Sequence, residues 1–212
     1  MKLITEPYPT QVERWPKSGR HILAQFDDQS IIMYQAYRPE IGHYAAKNGC
    51  FGGPLSLHRM TWIKPSFLWM MFRSRWGTSE DQEVTLAIRL QRSAFDAILE
   101  QAVHSTFVAE VYRDEAEWAT AVKRSDARLQ WDPDRDPSGM RLERRAIQLG
   151  VRGETLKRYA REWIIDIEDI SEFVREQCGY MRSRSAYGKL ITPREAVYCF
   201  DKPEVVARLG LS

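Results

Sequence analysis

An uncharged, strongly apolar stretch runs from Ser66 to Phe72. Its apolar side chains would point in all directions around a helix, which is typical of a helix buried on most sides. Pro65 comes directly before it, and proline suits the first turn of a helix because its missing N–H has no helical partner there. The pattern predicts a short buried helix over residues 64–74, far shorter than the roughly 20 residues that a membrane span needs.

Short strands and amphipathic helices are predicted around this stretch. Residues Arg20–Phe26 and Ile31–Tyr37 have the pattern of two strands of a β-hairpin. Residues Pro39–Asn48 carry an i, i+3, i+4 apolar stripe and are followed by Gly49, which suits a left-handed helix end. Further strands are predicted at 83–90, 104–111, 127–131, 144–151 and 163–167, and further helices at 93–103 with Ser93 as N-cap, 114–123, 153–161 and 169–177.

Three segments complete the predicted fold. Residues 1–17 contain three prolines and are predicted to form an extended N-terminal arm. Residues 177–194 lack acids and are predicted to form a flexible basic loop, after which Thr192–Glu195 has the pattern of a capping box that begins a helix. The mixed order of elements predicts a single α+β domain over residues 18–212, with a mainly antiparallel sheet packed around the short buried helix.

Composition agrees with a globular protein that does not enter a membrane. The 212 residues are 43% hydrophobic and 28% charged, and no stretch approaches the length of a membrane span. The cysteines Cys50, Cys178 and Cys199 are odd in number and scattered, a pattern typical of reduced thiols. No apolar signal segment is evident at the start. We therefore expect a cytoplasmic protein.

The distribution of charge is more informative than the net charge of +2. From Ile41 to Ser79 the chain has no Asp or Glu, although five Lys and Arg residues and seven aromatic residues lie within this stretch. Cations without acidic partners are either solvated or available to an anion, and nearby aromatic rings can stack on a base. Two interpretations stay open: a core helix with solvated basic ends, or an anion or nucleotide pocket around the helix N-terminus.

Common catalytic and metal-binding motifs are absent from the sequence. It contains no G-x-S-x-G, G-x-x-x-x-G-K-[ST] or G-x-G-x-x-G pattern, which argues against common hydrolase, P-loop and Rossmann chemistry. The four histidines show no metal-ligand spacing, and no cysteine pair does. These spacings predict no zinc site. Residues Asp132–Glu143 match the calcium-loop template at positions 1, 3, 5 and 12, but Pro137 stands where that loop needs glycine, and a polar turn between two strands is the favoured interpretation.

The run W-I-K-P-S-F-L-W-M-M-F-R-S, with Y-Q-A-Y before it and Q-W-D-P-D-R after it, resembles a bacterial and fungal family. That family is defined only as a domain of unknown function. The resemblance covers about residues 15–195 and identifies relatives without giving a reaction.

A second likeness concerns the order of elements at the start of the chain, which resembles the opening of ADP-ribosyltransferase domains. That resemblance implies NAD as cofactor, with Arg20, Tyr34, Gln35 and Tyr37 in the pocket and Trp62 or Phe67 as a stacking wall. No R-S-E or H-Y-E triad can be placed in this sequence, and Glu143 and Glu154 are the only candidates for a late catalytic glutamate.

These features lead to two hypotheses about function. The first is an intracellular nucleotide-handling transferase, similar to NAD-dependent ADP-ribosyltransferases, with a basic–aromatic pocket around residues 59–76. Lys64 and Arg73, assisted by Arg59, would neutralise a pyrophosphate, and Asp132 or Glu143 would stabilise positive charge on the ribose. The alternative is a non-enzymatic nucleic-acid-binding module whose aromatic residues stack bases while residues 182–194 contact phosphates. The candidate catalytic residues are Lys64, Asp132 and Glu143, and the candidate cofactor-binding residues are Arg20, Tyr34, Gln35, Tyr37, Arg59, Trp62, Ser66, Arg73 and Gln148.

Overall fold

Two mainly antiparallel sheets carry the framework of the chain in the computed structural model, which describes residues 3–183 and 185–212. The strands among the described residues are β1 (Thr5–Pro7), β2 (Leu23–Ala24), β3 (Ser30–Tyr37), β4 (Thr61–Ile63), β5 (Val84–Gln91), β6 (Val103–His104), β7 (Ala127–Arg135), β8 (Arg141–Val151), β9 (Ile164–Asp169), β10 (Ile191–Pro193) and β11 (Ala196–Val197). The α-helices are α1 (Tyr8–Arg14), α2 (Pro39–Asn48), α3 (Phe67–Ser74), α4 (Arg92–Gln101), α5 (Glu115–Arg124), α6 (Gly153–Arg158), α7 (Ser171–Arg182) and α8 (Pro203–Leu209).

A backbone bridge joins the two sheets. One has the order β3-β5-β9 and the other β4-β8-β7-β6, and every pairing in them is antiparallel except β6 with β7. An isolated bridge links Tyr34 of β3 to Lys64, which follows β4, through a 2.7 Å hydrogen bond from Tyr34 N to Lys64 O. The prediction of a single α+β domain with a mainly antiparallel sheet is confirmed.

Helix α3 is the short buried helix that the sequence predicts. Residues 67–71 are all buried, and the helix packs across β3 and β7. It begins later than predicted, because Ser66 is its N-cap and Pro65 stands one residue before the cap rather than in the first turn. At its other end Arg75 and Trp76 adopt left-handed φ angles of 50° and 57°.

Helix α2 lies close against β5, and a glycine permits this approach. Gly42 faces the strand at a point where an added Cβ would lie 2.4 Å from a methyl carbon of Val84. The helix has the bounds predicted from the sequence, with Gly49 as its left-handed C-cap. In the described part of the chain, no helix is long and apolar enough to cross a membrane.

The N-terminal segment is not uniformly extended. It holds β1, which pairs with β10, and α1, with Pro9 near the helix start, where proline is tolerated. The predicted hairpin is confirmed only next to its turn, where Phe26 forms an antiparallel bridge with Ile31 and Ile32 N donates to Gln25 O at 2.9 Å. The rest of its first strand is limited to β2, which pairs with β11, and β3 pairs along its length with β5. Pairing between distant segments, which is not visible in a local pattern, decides both results.

The C-terminal part departs most from the predicted elements. Helix α7 continues to Arg182, so the first residues of the predicted basic loop are helical; Arg184 lies outside the described residues. The pattern Thr192–Glu195 does not begin a helix. Thr192 and Pro193 end β10, and Glu195, which is 4% exposed, lies in the link between β10 and β11. The predicted strand at 104–111 is limited to β6, and α4 begins at Arg92 with Gln91 as N-cap instead of Ser93.

Candidate functional site

Lys64, Gln148 and Gln130 lie in a row across the second sheet. β4 pairs with β8 so that Ile63 is opposite Leu149, and Lys64 therefore comes beside Gln148. On the other side of β8, Gln148 is opposite Gln130 of β7. Because side chains alternate between the faces of a strand, these three polar residues share one face while Leu149 lies in the apolar core on the other.

Asp132 is held in a fixed orientation on this face. The Gln130 amide Nε2 donates to Asp132 Oδ1 at 2.9 Å, and the Gln148 amide Nε2 donates to Asp132 Oδ2 at 2.8 Å. Each carboxylate oxygen thus receives one amide hydrogen bond. Such an arrangement limits the rotation of the carboxylate.

The Lys64 side chain is almost completely buried. It is 6% exposed, and its ammonium nitrogen Nζ donates to the carbonyl of Trp62 at 3.2 Å. Burial lowers the pKa of Lys64 from 10.5 to about 7, the nearby charge of Arg73 contributes to this lowering, and the charge of Asp132 opposes it. At neutral pH the amine is therefore divided between its charged and uncharged forms, and the uncharged form can accept a proton.

Trp62 and Arg73 border this polar face. Trp62 lies over Gly150 of β8, where an added Cβ would be 3.2 Å from the indole carbon Cε2 and 2.6 Å from Met60 Sδ. Glycine is needed at this position because any side chain would displace that cover. Trp62 is half-buried and Arg73 is exposed on α3. The face thus combines a titratable amine, an oriented carboxylate, an indole ring and a cation.

Gln35 and Tyr37 have internal partners instead of a free surface. Gln35 Nε2 donates to Tyr37 Oη at 2.8 Å and to Thr61 Oγ1 at 2.9 Å, and the Tyr159 hydroxyl donates to Gln35 Oε1 at 2.7 Å. Tyr34 is fully buried against Phe67, with ring centroids 5.5 Å apart. These side chains hold the junction of the sheets, where Tyr34 and Gln35 are buried away from any ligand and Tyr37 is partly exposed.

The N-terminus of α3 is already occupied by groups of the chain itself. Ser66 Oγ accepts from Trp69 N, and Glu195 Oε1 accepts from Phe67 N at 2.7 Å. A buried carboxylate therefore takes the position in which the sequence suggested an external anion. Ser66 acts as a helix cap, and burial raises the pKa of Glu195 well above its ordinary value.

Three other candidates lie apart from the polar face. Arg20 is exposed beside the chain end, where its backbone N–H donates to Ser212 Oγ at 3.0 Å. Arg59 is exposed in the segment before β4. Glu143 is exposed on β8, and strand alternation puts it on the face opposite Gln148. Of the candidates, the structure brings together Lys64, Asp132, Gln148, Trp62 and Arg73.

Sequence reasoning missed a buried ionic cluster beneath α3. Asp134 and Arg144 form an ion pair of 2.6 Å with both side chains 3% exposed, and the Arg144 guanidinium also donates to the carbonyl of Pro16 at 2.7 Å. The charges of this pair act on Glu195. Asp134 follows the predicted strand 127–131 and Arg144 begins the predicted strand 144–151, and neither position indicates burial.

Comparison with known proteins decides the family. The family model described as "Domain of unknown function (DUF4291)" matches residues 21–198. The chain belongs to this family. The DUF4291 match includes all residues of the polar face as well as Glu195, and it confirms the resemblance suggested by the W-I-K-P-S-F-L-W-M-M block. The search of curated proteins found no match. The likeness to ADP-ribosyltransferases is not supported by these comparisons.

Proposed function

We propose that this DUF4291 chain is a transferase that handles a nucleotide, with Lys64 and Asp132 at its reacting centre. The observation that carries the proposal is the buried Lys64 amine, whose pKa is lowered to about 7, on the same sheet face as a carboxylate held by two amides. Strongly perturbed lysines are concentrated at functional sites. The free thiols Cys50, Cys178 and Cys199 support an intracellular location.

The proposed roles follow from the burial of each group. Arg73 is exposed and charged, so it suits the phosphates of a nucleotide, and Trp62 suits its base or nicotinamide ring. With NAD as donor, the bond between ribose C1′ and the nicotinamide nitrogen breaks and a bond from C1′ to the acceptor forms. Lys64 takes the proton that the acceptor loses, and Asp132 stabilises the positive charge that develops on the ribose.

Nucleotide binding and turnover test this proposal. Thermal unfolding is measured with NAD, ATP and GTP, and nicotinamide release from NAD is then measured for wild type, Lys64→Met and the exposed control Lys47→Met. We expect a stabilising shift with a nucleotide, and turnover that is lost in Lys64→Met and kept in Lys47→Met. No shift with any nucleotide, or equal turnover in both variants, would contradict the proposal.

A second candidate function, nucleic-acid binding, is favoured by a cavity at the other end of α3. The cavity has a volume of about 490 Å³ and is lined by Phe72, Arg75 and Arg182, among others. Arg75 and Arg182 come from the two separate acid-free segments, and Arg75 is exposed. The Arg135 guanidinium stacks on the Phe72 ring at 4.2 Å from its centroid. Arginines beside an exposed ring can hold a phosphate and stack on a base.

The salt dependence of binding separates the two candidates. For a nucleic-acid module, affinity for single-stranded RNA or DNA oligomers should fall steeply between low and moderate salt and should decrease in an Arg75→Ala, Arg182→Ala double variant. Lys64→Met should leave that affinity unchanged. Oligomer binding that is indifferent to salt and to the double variant would exclude this candidate.

A further inference from the structure

A separate groove lies between the ladders β1–β10 and β11–β2. It consists of a cavity of about 650 Å³ and a neighbouring cavity of about 390 Å³. Both cavities are lined by Ile4, Gln25, Phe26 and Arg194, and we call this surface the Arg194 groove. Sites for small molecules typically have volumes of about 300–1,000 Å³. The groove is therefore large enough for a small organic ligand.

Hydrogen bonds to one carbonyl group fix the walls of the groove. The oxygen of Ile4 accepts from the backbone N–H of Arg194 at 2.8 Å and from the Gln25 side-chain amide at 2.8 Å. The N-terminal segment, β2 and the link between β10 and β11 thus meet at one point. The backbone of Arg194 is held there while its side chain is exposed.

The other charges around the groove are paired. Arg14 contacts Glu6 at 2.5 Å at one end, and Arg89 contacts Asp27 at 3.0 Å at the other. The Arg194 guanidinium donates no hydrogen bond to any residue in the described part of the chain. The remaining acid, Glu195, directs its carboxylate to the N-terminus of α3. Among the described residues, the groove therefore has one positive charge that no ion pair or hydrogen bond matches, although Glu6, which Arg14 already holds, lies within its electrostatic reach.

The rest of the lining is largely apolar. Phe26 is half-buried, and Ile4 is 51% exposed at the edge of the groove. Trp15 and Val197 also line the larger cavity. The apolar part of a ligand can pack against these side chains while its charged end contacts the Arg194 guanidinium. The planar guanidinium matches the geometry of a carboxylate.

We propose that the Arg194 groove binds a small organic acid, with its carboxylate on Arg194 and its apolar body against Phe26 and Ile4. A single carboxylate matches the single unmatched charge. A phosphate monoester carries about −1.5 to −2 at pH 7 and would leave part of its charge without a partner. This site is distinct from the polar face at Lys64 and does not depend on the function proposed for it.

Two fluorescent probes of similar shape test the role of charge. The anion 8-anilinonaphthalene-1-sulfonate and the neutral N-phenyl-1-naphthylamine are titrated into wild type, Arg194→Ala and Arg161→Ala, whose exposed arginine lies outside the groove. We expect Arg194→Ala to raise the Kd of the anion about tenfold, which corresponds to about 1.4 kcal/mol, and to leave the Kd of the neutral probe unchanged. The Arg161→Ala control should match wild type with both probes.

Competition identifies the class of ligand. Octanoate should displace the anionic probe from wild type, whereas octanol and inorganic phosphate at the same concentration should not. Near-UV circular dichroism of Arg194→Ala should equal that of wild type, because the sulfonate probe also binds loosened cores. Unchanged affinity of the anion in Arg194→Ala, equal losses for both probes, or displacement by phosphate would each overturn the proposal.

Discussion

Replacement of Lys64 by methionine should make the protein more stable, and the gain should depend on pH. The pKa values of an ordinary lysine, 10.5, and of Lys64 in the fold, about 7, differ by about 3.5 pH units. At about 1.36 kcal/mol per unit, the buried charge costs the folded state about 5 kcal/mol at low pH. Loss of the hydrogen bond to the Trp62 carbonyl offsets about 1 kcal/mol of this, which leaves a gain of about 4 kcal/mol at pH 6.

The sign of the pH dependence follows from proton binding. Between pH 7 and 10.5 the unfolded chain binds a proton at Lys64 that the folded chain has released, so the stability of wild type rises with pH in this window. The methionine side chain of the variant does not titrate. The stability difference between Lys64→Met and wild type should therefore be largest below about pH 7 and shrink by about 3 kcal/mol between pH 6 and pH 9. It should reach zero at about pH 10, where the remaining cost of the charge equals the value of the lost hydrogen bond.

Urea unfolding followed by tryptophan fluorescence measures this difference at pH 6, 7, 8 and 9. The control Lys47→Met replaces an exposed lysine in the same acid-free stretch, and its difference from wild type should stay constant over that range. Two results would contradict this account: Lys64→Met is no more stable than wild type at pH 6, or its stability difference from wild type is as independent of pH as that of the control. Either result would mean that burial does not disfavour the charged form of Lys64.

Other substitutions test the packing and the buried acid. Gly42→Ala should destabilise the fold by about 1–3 kcal/mol in thermal or urea unfolding, because its Cβ would press on Val84. In the control Gly179→Ala the new Cβ meets nothing within 4 Å, so this variant should be more stable than wild type by about 0.5–1 kcal/mol. If Gly42→Ala is stabilising and Gly179→Ala destabilising, α2 does not lie as close to β5 as described. Tyr34→Phe should leave the midpoint of urea unfolding equal or higher, because the buried Tyr34 hydroxyl has no partner among the described residues; a loss of more than about 1 kcal/mol would reveal an unseen partner. For Glu195, burial raises the pKa, so the folded state binds its proton more tightly and wild type loses stability as pH rises above 4.5. Glu195→Gln should gain stability relative to wild type between pH 4 and pH 8 in urea unfolding, and a constant difference would contradict the raised pKa.

The sequence was most informative where local interactions decide the structure. Helix α2 has the predicted bounds because Pro39 and the left-handed Gly49 mark its ends within the segment itself. The burial of α3 was also predictable, because its apolar side chains point to all sides and leave water only when other elements surround the helix. Both results depend on residues within a few positions of one another.

Long-range pairing explains what the sequence did not predict. Glu195 fits a capping box locally, but the pairing of Thr5 with Pro193 places it beneath α3, where it caps a different helix. Lys64 was selected as a partner for phosphate because its neighbours lack acids. Its burial and its proximity to Asp132 depend on the junction of two sheets and on the register of β4 against β8, which no local pattern encodes.

The most direct test of the proposed reacting centre is a titration of the lysine side chains by NMR. Protein labelled with ¹³C at the lysine Cε positions is followed from pH 5 to 11, and the Lys64 signal is assigned by its loss in Lys64→Met. The Lys64 signal should titrate with a midpoint near 7, well below the approximate value of 10.4 for a free lysine side chain. A Lys64 midpoint close to that free value would mean that the amine stays charged at neutral pH and cannot serve as the proposed base.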